Sequence, residues 1–310
     1  MHHQWLRRFG KRENACLLAQ VTIEQSHHRL LEMFNDAQEF QKKPFSLYQG
    51  DCLELMKSIP DASVDMVLCD LPYGTTACKW DVVIPFDKLW EQYRRVVKPN
   101  AAIVLFGSEP FSSHMRLSNL RAYRYDWTWD KVTARGHLVA KKRPMQQTEC
   151  VSVFSEQPHR YFPIMIPRPA DKIERRGKTE YARTEIMGGM QRAVSTDKVY
   201  DTWYPKTLLK FSNAGSSVKS VHPTQKPVGL CEYLIRTYTN EGETVLDNCM
   251  GSGTTGVACA NTGRKFIGME QDAGYFKIAS ERIEQAFQKG VEQVLERRGE
   301  SADLFAGTLA

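Results

Sequence analysis

The 310-residue chain has no apolar run approaching the roughly 20 residues a membrane-spanning helix needs. Its first residues, MHHQWLRRFGKREN, lack the apolar core of a secretory signal. Eight cysteines are present, but none forms a CxxC pair and several sit inside apolar runs. That pattern speaks against a zinc cluster. It fits reduced, mostly buried thiols in a cytoplasmic protein. A large excess of one charge is also missing: 42 Lys+Arg stand against 36 Asp+Glu, a formal net of +6. Neither a metal nor a membrane is therefore expected as a partner.

What is present is an ordinary globular composition, 42% hydrophobic and 25% charged, long enough for one large α/β domain with an insert. Residues 1–43 are polar and charged and read as an N-terminal extension. From Phe45 the texture changes. FSLYQGD reads as a strand and turn, CLELMKSIP as a helix, and VDMVLCD as a strand covered on both faces. FDKLWEQYRRVVK is an amphipathic helix and AAIVLFG another buried strand; EPFSSHMRLSNL is helical. YRYDWTWDK and ECVSVFS read as strands that pair near a sheet edge, with Trp127 and Trp129 packed rather than exposed. Residues 156–220 are rich in Pro, Gly and charge with weak periodicity, and read as an insert outside the sheet. After it the chain alternates helix, strand, helix, strand, helix up to 290, with a charged tail over 291–310. Such alternation predicts a doubly wound, Rossmann-like parallel sheet.

Two stretches carry chemistry. In CDLPYGTTACKWD, residues 69–81, a strand ends in a turn holding Asp70, Leu71, Pro72 and Tyr73. A turn explains the acid, the proline and Gly74, but not an aromatic ring beside a carboxylate. In VLDNCMGSGTTG, residues 245–256, Gly251, Gly253 and Gly256 have GxGxxG spacing between a strand and a helix, the context of a nucleotide-binding turn. Glu270 ends the next strand, where an acid can accept from ribose hydroxyls. Taken alone, this fits NAD equally well. Asp247 tilts the reading, because a carboxylate at the strand end repels a pyrophosphate and attracts the cationic amino-acid end of S-adenosyl-L-methionine. Thr254 and Thr255 add hydroxyls suited to an amine or carboxylate, although one of them is accounted for as a helix cap.

Asp70-Leu71-Pro72-Tyr73 resembles the (D/N/S)PP(Y/F) motif of enzymes that methylate exocyclic amines. VLDNCMGSGTTG resembles their S-adenosylmethionine loop, and HPTQKP (222–227) a segment preceding that loop. The order, catalytic motif first and cofactor loop last, is similar to the circularly permuted β class of DNA amino-methyltransferases over about residues 45–290. The resemblance implies a catalytic half at 44–155, a target-recognition insert at 156–220 and a cofactor half at 221–290. It implies S-adenosyl-L-methionine held by Asp51, Cys52, Asp70, His222, Lys226, Asp247, Met250, Gly251, Gly253, Thr254, Thr255 and Glu270. It further implies methylation of a base flipped out of double-stranded DNA, within restriction-modification chemistry, and leaves a homodimer open. The amine's lone pair is delocalised into the ring, so its two hydrogens need acceptors as the methyl group approaches. By the resemblance, Asp70 and the Leu71 carbonyl are expected to supply these, with Pro72 aiming the carbonyl and Tyr73 stacking on the base. Asp in the first motif position resembles adenine-N6 enzymes; cytosine-N4 is the alternative, and an NAD-dependent oxidoreductase a more distant one. Two departures stand out: Leu71 replaces the first proline, and Cys249-Met250 replace a common aromatic.

The modest positive charge is unevenly spread. Between Arg160 and Lys210 lie eleven Lys/Arg and six Asp/Glu, a net of +5. Arg168, Lys172, Arg175, Arg176, Lys178 and Arg183 are read as candidates to meet phosphates or base edges. Lys131 and Arg135, ahead of Lys141, Lys142 and Arg143, are read as a second DNA-facing group.

Overall fold

The computed structural model describes residues 44–75, 81–183, 190–212 and 225–298, with 175–183, 190–198 and 293–298 described by backbone alone. An eight-stranded sheet organises the molecule, in the order β1-β12-β11-β2-β3-β5-β4-β10. Its members are β1 (Phe45–Gln49), β2 (Val64–Cys69), β3 (Val97–Gly107), β4 (Tyr123–Arg135), β5 (Gln146–Phe154), β10 (Leu208–Lys210), β11 (Thr244–Asp247) and β12 (Lys265–Glu270). Strands β1, β12, β11, β2 and β3 pair in parallel; β5 runs antiparallel between β3 and β4. The expected pairing of YRYDWTWDK with ECVSVFS is thus present, and Trp127 and Trp129 are buried.

Alternate residues of each strand feed opposite faces, as a covered parallel sheet requires. Val67, Cys69, Ile103 and Leu105 pack with Leu89 and Tyr93 of α2 (Phe86–Val96) and Met115 of α3 (Phe111–Ser118). The short α1 (Cys52–Met56) buries Met56 on that side. Met66, Leu68, Val104 and Phe106 pack with Leu234 of α4 (Val228–Tyr238), Cys259 of α5 (Thr254–Asn261) and Ile283 of α6 (Ala273–Arg298). The four cysteines at 52, 69, 231 and 259 are buried and free, because each completes one of these apolar faces.

Two boundaries differ from the sequence reading. Helix α6 runs to Arg298, past the expected tail boundary at 290. The insert also does not stay outside the sheet: β10 joins its edge beside β4, with Leu209 opposite Trp129 and buried. A three-residue strand is too short to show a period, which is why Pro-rich flanks hid it. The rest of the insert forms two small antiparallel pairs, β6 (Ile166–Pro167) with β9 (Thr202–Trp203), and β7 (Glu174–Arg183) with β8 (Met190–Tyr200). Among the described residues, no helix is long and apolar enough to cross a membrane. Residues 1–43 and 299–310 lie outside the described residues.

Candidate active site

Strand order reverses between β11 and β2. From β11 the chain crosses through α5 to β12 on one side; from β2 it crosses through α2 to β3 on the other. A crevice opens at the carboxyl ends of parallel strands where the order reverses in this way. Asp247 ends β11 and Asp70 follows β2, so both chemistry-bearing stretches meet at that point. Because β5 is antiparallel, its start rather than its end reaches the same edge and brings Glu149 there. A cavity of about 720 Å³ spans these strand ends, from Gly50–Cys52 and Glu270 past Asp247–Thr255 to Asp70–Tyr73, Lys131 and Lys226.

At the cofactor-loop end, Gly251 and Gly253 have φ of +52° and +80°, a left-handed conformation that suits glycine. A side chain at Gly253 would also lie 2.9 Å from Ile283 Cδ1 and 3.1 Å from Ala279 Cα, so this turn packs directly on α6. Met250 N donates to Met269 O (2.8 Å), pinning the loop to β12. Glu270 accepts from Gly251 N (2.9 Å) and Asp272 N (2.8 Å). Burial raises its carboxyl, and these backbone donors pull the other way. Asp247 is buried, accepts from Cys249 N (3.1 Å), and is pushed up to about 6, chiefly by that burial. Thr254 and Thr255 are buried beside it; the helix cap is Gly253, so neither threonine is spent on capping. Across the cavity, Asp51 caps α1 by accepting from Leu53 N (2.8 Å) and Glu54 N (3.2 Å), and Cys52 and Met250 are buried.

At the Asp70–Tyr73 end, five side chains form one network. Tyr73 Oη lies within hydrogen-bond reach of Asp70 Oδ1 (2.7 Å) and Glu149 Oε1 (2.9 Å). Lys226 Nζ contacts Asp70 Oδ2 (2.7 Å) and Glu149 Oε1 (3.0 Å). Lys131 Nζ holds Glu149 Oε2 (2.7 Å) and lies 5.3 Å from the centre of the Trp129 ring. Burial alone would lower Lys226, but Asp70 and Glu149 outweigh it and raise it, so the ammonium is retained. Burial raises Asp70 against the attraction of Lys226. Burial would raise Glu149 too, but Lys226 and Lys131 win and lower it. The Tyr73 ring stacks on Phe111 (centres 4.9 Å apart, 26° between planes), and Leu71 is buried in the core. Gly74 N and Thr75 N donate to Asp81 (2.8 and 2.9 Å), which closes the turn after Tyr73.

Lys226, expected to meet a cofactor carboxylate, contacts Asp70 and Glu149. Lys131, expected on a DNA-facing loop, lies on strand β4 in the cavity wall and pairs with Glu149. Arg135, at the end of that strand, is exposed on the cavity rim. Arg168, expected as a DNA contact, donates to Thr202 O and Lys172 O and pairs with Glu174. Lys172 is exposed. His222 lies outside the described residues, as do the side chains of Arg175, Arg176, Lys178 and Arg183.

Glu149 and Gln225 were missed by sequence reasoning. Glu149 had a signal: it shares the buried face of β5 with Val151 and Val153, so period-2 patterning turns a carboxylate inward, opposite Trp129. Gln225 lines the cavity with a buried Oε1 that has no hydrogen-bond partner among the described residues; it lies within HPTQKP, but only Lys226 and His222 of that segment are singled out by sequence reasoning.

Comparisons with known proteins converge on one family. Residues 64–281 match the N6/N4 methyltransferase family described as "DNA methylase". The chain is 27% identical over 276 residues to the Type II methyltransferase M2.DpnII of Streptococcus pneumoniae, covering 79% of this chain and 91% of that protein. It is 28% identical over 275 residues to the Type II methyltransferase M2.LlaDCHI of Lactococcus lactis subsp. cremoris, with the same coverage. Among solved structures it resembles the M1.HpyAVI–SAM complex (24% identity, TM-score 0.52, 77% of this chain and 98% of that one). It also resembles the cytosine-N4-specific PvuII DNA methyltransferase (18% identity, TM-score 0.54, 80% and 93%). At these identities the structural likeness speaks for the fold, a mostly parallel Rossmann-like sheet, while the family match extends over most of the chain. With the catalytic turn and glycine loop meeting at one crevice, the chain belongs to the DNA methylase family of amino-methyltransferases.

Proposed function

We propose that the chain transfers a methyl group from S-adenosylmethionine to the N6 amine of adenine in double-stranded DNA, after flipping the base into the cavity beside Tyr73. The observation that carries this reading is the pairing of Asp70 with Tyr73 at the turn after β2, a carboxylate and an aromatic ring at one end of a cavity whose other end is acidic. The acids fit S-adenosylmethionine. Asp247 is buried in the cavity wall and suits a cationic amine, and Asp51 and Glu270 suit neutral polar groups. They do not fit a dinucleotide. The Gly251 N–H, which would face a pyrophosphate, is already donated to Glu270. When bound, S-adenosylmethionine supplies an electrophilic methyl group on a sulfonium.

The chain's own residues then have separable tasks. Asp70 and the Leu71 carbonyl accept the two amine hydrogens and favour localisation of the lone pair. Tyr73 offers its ring to the flipped base, offsetting part of the few kcal/mol of unstacking. Asp247, Thr254 and Thr255 hold the amino-acid end of the cofactor. The direct transfer needs no covalent enzyme intermediate, consistent with thiols that burial holds protonated, as at Cys69. Residues 156–220 serve as the target-recognition region between the catalytic half (44–155) and the cofactor half (221–290). Adenine is favoured over cytosine because the first motif residue is Asp70. The test is transfer of tritiated methyl from S-adenosylmethionine to DNA, followed by nucleoside chromatography. N6-methyladenine supports the reading; N4-methylcytosine corrects the base; no transfer to any DNA despite cofactor binding rejects it.

A further inference from the structure

Both oxygens of Asp70 already accept from a side chain of the protein. Oδ1 accepts from the Tyr73 hydroxyl at 2.7 Å and Oδ2 from Lys226 at 2.7 Å. A target amine has to take one of these positions, so one donor has to leave. A lysine ammonium or a buried phenol released without a new acceptor is costly, because a charge or hydroxyl loses its partner away from water. Glu149 removes that cost. Its Oε1 is already within reach of both donors, at 2.9 Å from Tyr73 Oη and 3.0 Å from Lys226 Nζ. Its other oxygen is fixed by Lys131 at 2.7 Å, so the carboxylate is anchored rather than free to follow.

We infer that Glu149 is a positioning residue which accepts Lys226 and Tyr73 from Asp70 when the base enters, leaving an Asp70 oxygen for the amine. The inference rests on the methyltransferase reading of Asp70. No bond is made or broken in this step; hydrogen bonds are exchanged between two carboxylates about one shared ammonium and one shared hydroxyl. The ionisable groups facing Glu149 are Asp70 and Tyr73 from the turn after β2, Lys131 from β4 and Lys226 ahead of α4; Asp247 at the end of β11 and Arg135 on the rim share the cavity. After burial and Lys226, the like charge of Glu149 is the next influence on Asp70, and it raises the carboxyl. Neutralising Glu149 therefore lowers Asp70, and the acid limb of the pH profile follows.

The experiment compares wild type, Glu149→Gln, Glu149→Asp and Asp70→Ala in the full chain, measuring methyl transfer to DNA against pH at saturating cofactor. Glu149→Gln should lose about 10- to 100-fold in kcat/KM for DNA, the worth of a charge-assisted hydrogen bond. Its acid limb should move to lower pH. Glu149→Asp, which keeps the charge, should recover most of the loss and, if the Gln variant does not fold, should still show a normal acid limb with a raised KM for DNA. A Gln variant with wild-type kcat/KM overturns the inference. So does an equal loss in Gln and Asp variants with an unmoved acid limb, the mark of a purely structural role. If wild type transfers no methyl group, or Asp70→Ala stays fully active, the methyltransferase reading of Asp70 fails and this inference fails with it. An inactive Asp70→Ala beside an unaffected Glu149→Gln rejects the Glu149 role alone.

Discussion

Lys226 Nζ sits 2.7 Å from Asp70 Oδ2, across 156 residues of sequence, tying the segment before α4 to the turn after β2. The pair makes the carboxylate's chemistry separable from its structural part. In Asp70→Ala, Lys226 keeps Glu149 as a partner, and a carboxylate whose ionised form burial already disfavours is removed. Single-turnover methyl transfer should fall by about 100-fold or more, the scale set by losing one preorganised group at the reacting atoms. The thermal midpoint should stay within about 3 °C of wild type. A variant retaining more than about a tenth of the rate rules out Asp70 as the amine's acceptor.

Leu71 stands where the related motif has proline, and it is buried in the core. If only its backbone carbonyl serves the amine, the side chain contributes packing alone. Leu71→Pro should then cost stability, about 1–3 kcal/mol from lost apolar contact. The rate per folded molecule should remain within about threefold, well under the tenfold that 1.4 kcal/mol represents. Denaturant unfolding and single-turnover transfer on the same preparation separate the two effects. A rate loss exceeding the loss of folded protein would give the Leu71 side chain a role in the pocket.

The sheet and the two chemical stretches were legible in the sequence because each rests on local pattern. VDMVLCD and AAIVLFG announce strands covered on both faces, and GSGTTG announces a turn between strand and helix. What could not be read is what tertiary pairing decides. Lys131 and Arg168 look alike in a list of basic residues; one is neutralised by Glu149 in the cavity wall, the other by carbonyls and Glu174. Glu149 reaches the site only because β5 runs antiparallel, a direction its residues do not encode. β10 was hidden because three residues carry no period.

Asp247 should give the cofactor site a pH dependence. Its carboxyl rises on folding from 3.8 to about 6, so the folded state binds more protons than the unfolded chain between those values. Stability of the ligand-free protein should therefore fall as pH rises through that window, with a penalty of about 3 kcal/mol fully present above it. Asp247→Asn should remove this slope and raise the neutral-pH thermal midpoint. The same ionisation favours the cofactor's cationic amine. Wild-type affinity for S-adenosylhomocysteine should then drop about tenfold between pH 7 and pH 5, and the variant should bind weakly at both. Calorimetric titration at the two pH values checks this; a flat wild-type profile removes Asp247 from amine binding.

Arg135 and Lys131 lie four residues apart on β4 and should respond differently to charge removal. Arg135 is exposed on the cavity rim, while Lys131 is largely covered and paired with Glu149. Phosphate contacts release counterions, so each one lost flattens the dependence of log affinity on log salt by about 1. Arg135→Ala should show that flattening, weaken DNA of any sequence alike, and leave the rate at saturating DNA near wild type. Lys131→Ala should keep the salt slope and instead lower the transfer rate, because Glu149 loses the partner that anchors it. Fluorescence anisotropy over a salt series, paired with single-turnover transfer, distinguishes the two. Equal slopes for Arg135→Ala and wild type would remove the β4 rim from the DNA-binding surface.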